Sequence, residues 1–189
     1  MSMWKALTLG LLIGAPVCGT AQQAAPAAPP PAPLLMSIPA YADGGPVPVK
    51  YTCSAGDESV SPRIQWSQVP AGTQSFILVL ADLEAHPDKG MVPFAHWILW
   101  NIPPTARSLP EGLPAGTILA DGTRQMKGRK GPVYLGPCAA PGPSGHYMFS
   151  LYALNATLNL TEDAQRDDVM KAAEGHVLRV ANWIGLFHR

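Results

Sequence analysis

The sequence predicts a mainly β domain with one C-terminal helix and long connecting loops. Its apolar stretches are short and either alternate or run continuously for a strand's length. The 21 prolines and 18 glycines punctuate the chain too often for a helical bundle. Only one stretch has helical periodicity.

The N-terminus comes first. Lys5 is the only charge before an apolar run from Ala6 to Val17, which has signal-peptide length and is too short to span a bilayer. Gly19-Thr20-Ala21 supplies small residues for cleavage near Ala21, so residues 1–21 are expected to be a signal peptide and the protein periplasmic or secreted. Lipidation at Cys18 is the alternative. No transmembrane anchor is expected in the mature form. Residues 22–33 are almost entirely Ala, Pro and Gln and predict a flexible tether. Residues 34–189 are enough for one domain with its own core.

Within the domain, Pro46 to Thr52 alternates and predicts a strand, as does Ile64-Gln65-Trp66. Pro70 to Thr73 predicts a turn. Ser75 to Ala81 is continuously apolar, so it is expected to be a strand buried on both faces. His96 to Ile102 and Tyr147 to Leu154 are the other strong strands. Thr161-Glu162-Asp163 offers a cap, after which Val169, Met170, Ala172, Ala173 and Val177 recur at helical spacing. Val180 to Phe187 predicts a closing strand.

Losing Lys5 with the leader leaves 12 basic against 13 acidic residues, no basis for binding nucleic acid. Cys18 would leave too, and Cys53 and Cys138 remain. In an oxidising compartment a lone pair predicts a disulfide, two buried thiols being the other reading.

Two long loops hold the polar groups. The first, Leu83 to Ala95, joins two strong strands. If those strands are antiparallel neighbours, Asp82, Glu84, His86 and His96 share one sheet edge. His96 opens a strand of Trp, Ile and Leu, and a buried imidazole needs a partner such as a carboxylate. The second loop, Gly136 to Gly145, leads into His146 and Tyr147. There is no Gly-x-Ser-x-Gly elbow, no His-Glu-x-x-His and no phosphate-cradling glycine loop. No catalytic residue, metal or cofactor is predicted.

These segments, in order, resemble the phosphatidylethanolamine-binding protein family, in particular its bacterial Raf-kinase-inhibitor-like branch. The matching pieces include Lys50-Tyr51-Thr52-Cys53, Ser61-Pro62, Trp66, Val69 to Thr73, Asp82 and Phe94-Ala95-His96-Trp97. Asn101-Ile102-Pro103, Gly136-Pro137-Cys138, His146-Tyr147, Leu151 to Leu154 and Glu174 to Leu178 complete the set. The resemblance implies an antiparallel, Greek-key β-sandwich with a small anion pocket at one end. It implies a ligand site drawn from Asp82, Glu84, His96, Gly136, Pro137, His146 and Tyr147. The family's Asp-Pro-Asp-Ala-Pro motif falls on Asp82 to His86, with the second acid a glutamate and both prolines gone. Anchoring on Tyr147 puts Gly145 at the second pocket histidine, whereas aligning from Cys138 puts His146 there. The implied function is non-catalytic binding of a small anion or phosphorylated head group. A secreted inhibitor of a protease or other enzyme, using the Leu83–Ala95 loop, is one alternative. A hydrolase using the His/acid cluster is another.

Overall fold

The computed structural model describes residues 32–139 and 141–189. The expected signal peptide, Cys18 and the tether up to residue 31 lie outside the described residues. In chain order the elements are β1 (Leu35–Ser37), β2 (Gly45–Pro46), β3 (Ile64–Ser67), β4 (Ser75–Asp82), β5 (Phe94–Ile102), β6 (Ser108–Leu109), β7 (Arg124–Gln125), β8 (Gly145–Leu154), α1 (Arg166–Ala173) and β9 (Val177–Phe187).

All eight residues of β4 are buried, and the sheet order explains why. β4 lies inside a six-stranded sheet ordered β2-β9-β8-β4-β5-β7, antiparallel to both β5 and β8. A second sheet, β1-β3-β6, is three-stranded. Phe76, Leu78 and Leu80 of β4 join Ile64 and Trp66 of β3 in one core between the sheets. Ile77 and Val79 point the other way, into a core with Val169 and Ala173 of α1. A strand covered on both faces has no use for alternation, hence its unbroken apolar run.

The expected strand over Pro46–Thr52 is not formed. Gly45–Pro46 pairs parallel to β9, with the Val47 amide donating to the Leu186 carbonyl at 2.8 Å, and the chain then closes into 3-10 turns at Val49–Tyr51 and Cys53–Glu58. Pro46 and Pro48 lack the N–H that a ladder needs, and the Tyr51 and Thr52 amides turn back onto Pro48 and Val49. The helix is shorter than its periodicity and starts later than Thr161. Gln165 is the cap, its amide donating to the Asp168 carboxylate at 2.9 Å. Val177 belongs to β9, because the chain leaves the helix at Glu174 and Gly175, at φ +77°, turns it away. β9 therefore begins three residues before Val180 and lies inside the sheet, between β2 and β8.

Two local features position the site. Between the pairs Leu80–Trp97 and Ala81–Ala95, β5 carries one unmatched residue, His96. Such a bulge turns a side chain out of the regular alternation. Further on, Gly128 and Gly131 exchange both backbone hydrogen bonds at 3.0 Å, presenting Arg129 and Lys130 at the tip of a two-residue turn.

Candidate functional site

The antiparallel pairing of β4 and β5 brings the end of one strand against the start of the other. Asp82 and His96 are both buried, with Asp82 Oδ2 3.9 Å from His96 Nε2. Asp82 Oδ1 accepts from the amides of Glu84 (3.0 Å) and Ala85 (3.1 Å), bracing a loop start that has no proline at 83 or 86. His96 Nδ1 lies 3.0 Å from the carbonyl oxygen of Gly136. A carbonyl can only accept, so Nδ1 carries the hydrogen and the neutral ring turns its Nε2 lone pair toward Asp82. The tautomer is thus set by Gly136 rather than by the carboxylate. Burial lowers the imidazole pKa, against the raising effect of Asp82's charge.

Tyr147 stands opposite Asp82 on β8, its ring edge-on to His96 at 5.4 Å between centroids. Its hydroxyl is fully buried and lies against the Asp82 carboxylate. Burial, with Asp82's charge, pushes the phenol pKa well above its ordinary value.

A cleft of about 470 Å³ opens over this pair, lined by Asp82, His86, Phe94, His96, Arg129, Lys130 and Cys138 among others. A second hollow of about 410 Å³ also reaches Asp82 and is lined by Glu84, Gly145 and Tyr147 among others. The Arg129 guanidinium sits over the Phe94 ring at 4.8 Å from its centroid. Arg129 and Lys130 were missed by motif reading. Their signal was the run Lys127-Gly128-Arg129-Lys130, which holds the chain's only adjacent pair of basic residues.

The other predicted residues divide. Glu84 accepts from the His146 amide (2.7 Å) and pairs with its Nδ1 (2.6 Å) in an exposed contact. Burial would raise the Glu84 pKa, but the two His146 contacts hold it below the usual carboxylate range. His146 is exposed and lines neither hollow, since neighbouring residues on a strand face opposite ways. Gly145 takes Tyr147's side, where an added Cβ would lie 3.3 Å from that ring. Gly136 and Pro137 are buried behind the cleft, their carbonyls receiving His96 Nδ1 and the Cys53 amide. Cys53 and Cys138 are joined by a disulfide, with Cα atoms 5.2 Å apart. Among the described residues no three His, Cys, Asp or Glu side chains gather as metal ligands.

A sequence model described as phosphatidylethanolamine-binding protein matches residues 37–188. The chain belongs to the phosphatidylethanolamine-binding protein family. A UPF0098 protein of Methanothermobacter thermautotrophicus is 40% identical over 153 residues, covering 79% of this chain and 95% of that one. A candidate lipoprotein of Mycobacterium tuberculosis, LppC, is 34% identical over 157 residues, covering 82% and 72%. Among solved structures, the family homologue CT736 of Chlamydia trachomatis superposes with a TM-score of 0.71 at 25% identity, over 83% of this chain and 98% of that one. YbcL of Escherichia coli gives 0.73 at 24% identity, over 84% and 99%, and shares the fold. Membership accounts for the two-sheet architecture with its C-terminal helix. No helix among the described residues is long and apolar enough to cross a membrane.

Proposed function

We propose that the protein is an exported, non-catalytic binding domain. Its cleft would hold a small anion, such as the phosphate of a head group, between His96 and the Arg129–Lys130 turn. One observation carries this reading: a buried imidazole faces a cleft whose mouth bears two cations on a two-residue turn. The cations offset Asp82, so net repulsion no longer opposes an anion. A zwitterionic head group fits well, its amine answering the acid.

Turnover has less support. Among the described residues no serine, threonine or thiol hydrogen-bonds either nitrogen of His96, so no nucleophile is coupled to a base there. Export rests on the N-terminal pattern, with LppC as a parallel. Cell fractionation tests it.

The binding test is calorimetric titration with phosphate and phosphoethanolamine up to millimolar concentration, on the parent chain and His96→Ala. Saturable binding weakened by the substitution is expected. No heat from either ligand, or equal affinity in His96→Ala, would sink the reading.

A protein-partner reading draws on the same loop. Met91 is 95% exposed and Val92 48%, both on the Leu83–Ala95 loop. Capture of a periplasmic enzyme that is lost in Met91→Ser/Val92→Ser would favour it.

A further inference from the structure

We propose that the cleft selects an oxyanion that still carries a hydrogen, a phosphate monoester held as its monoanion, with the P–O–H donating into the gap between Asp82 and His96. The inference rests on the anion reading above and adds the protonation state of the ligand.

The argument is a count of donors and acceptors. His96 Nδ1 spends its hydrogen on the Gly136 carbonyl at 3.0 Å, leaving Nε2 as a lone pair. Asp82 Oδ1 is spent on the Glu84 and Ala85 amides, leaving Oδ2. Oδ2 and Nε2 are 3.9 Å apart, too far to bond each other. The deepest polar part of the cleft therefore offers two acceptors. The donors stand elsewhere: Arg129 and Lys130 are at the mouth, while the buried Tyr147 hydroxyl lies against Asp82 and lines the second hollow instead. A fully ionised oxyanion entering the gap would set its own lone pairs against Oδ2 and Nε2, which costs free energy at each unmade bond. A monoanion bearing P–O–H supplies the missing hydrogen to one acceptor. Its other oxygens remain for the cations.

The hydrogen could instead reside on His96, as an imidazolium. The groups facing that ring are Asp82 from β4, Tyr147 from β8, Arg129 and Lys130 from the turn, and His86 from the loop. Burial, the largest effect, and Arg129 oppose charge there, whereas Asp82 and the Gly136 and Leu135 carbonyls favour it, and the balance lowers the imidazole pKa. The ring is neutral at neutral pH. The ligand brings the hydrogen.

The test compares methyl phosphate with methyl sulfate. Phosphate monoesters lose their second proton near pH 6, at about that value. Below it the two probes are monoanions of one shape, differing by one hydrogen. Calorimetry at about pH 6 and about pH 8, at fixed ionic strength, should show methyl phosphate binding at the lower pH and weakening about fiftyfold at the higher, as the monoanion falls from about half of the probe to about one per cent. Methyl sulfate should be at least about tenfold weaker than methyl phosphate at the lower pH. Asp82→Asn is a second arm. Its amide oxygen can keep both backbone bonds, which puts an N–H where Oδ2 was, so methyl sulfate should gain affinity and the pH dependence should flatten. Equal binding of the two probes overturns the inference. So does methyl sulfate tightening in parallel as pH falls, because the proton would then sit on His96. If neither probe binds the parent chain at either pH, the anion reading itself falls, and this inference with it.

Discussion

His96 donates through Nδ1 to the carbonyl of Gly136, forty residues away, and so holds Nε2 toward Asp82. That contact ties the loop behind the cleft to the imidazole even though Gly136 lines neither hollow beside Asp82. Gly136 cannot be replaced without moving it. A Cβ there would collide with the Tyr51 carbonyl. Gly136→Ala should cost about 1–3 kcal/mol of stability, and should weaken phosphate binding as well. Urea unfolding and calorimetry check the two effects on one sample.

Stability should depend on pH through His96. Its folded pKa lies below the ordinary histidine value of 6.5 because burial disfavours the charged ring. Above that value both folded and unfolded states are neutral at this position, and the stabilisation is fully present. As pH falls through 6.5 toward the folded pKa, the unfolded chain takes up a proton that the folded one refuses, and stability is lost. His96→Asn keeps an N–H for Gly136 but does not titrate. Subtracting its urea-unfolding profile from that of the parent, between about pH 5 and pH 7.5, should leave a slope in that window. A flat difference would be the contrary result.

The two cations should act on affinity and leave the fold alone. Arg129 and Lys130 are exposed, so Arg129→Gln and Lys130→Gln should each shift stability by no more than about 0.5 kcal/mol. Each should weaken phosphate binding several-fold, and the double variant should lose much of the salt dependence. Titrations at two ionic strengths measure this.

His146 should be dispensable for the ligand. Its contact with Glu84 is half-exposed and outside the cleft. His146→Ala should cost no more than about 1 kcal/mol in stability and leave phosphate affinity unchanged in calorimetry.

The disulfide should matter to folding. It closes a sequence separation of 85 residues, and Cys53→Ser/Cys138→Ser should lose about 2–4 kcal/mol. Unfolding under oxidising conditions measures the loss, and intact mass with and without reductant verifies the bond.

Strong strands were legible because their patterns were strong. The unbroken apolar run of Ser75 to Ala81 could only be a central strand, and His96 to Ile102 and Tyr147 to Leu154 fell within the observed β5 and β8. Pro46 to Thr52 misled because alternation says nothing about missing amides, and two prolines decide that segment. Val177 misled because its helical phase continued past Glu174 and Gly175, where the chain has already left the helix. Asp82 and His96 could be paired from strand adjacency alone. The Gly136 carbonyl, the Arg129–Lys130 turn and the exclusion of His146 could not, because each depends on how distant loops fold back onto the sheet edge.

The unmatched residue in β5 has an evolutionary corollary. Without His96, the pairs Leu80–Trp97 and Ala81–Ala95 would follow one another in unbroken register. The imidazole over the acid would vanish with that single codon. Relatives that lack it would keep the architecture and surrender the cleft's chemistry.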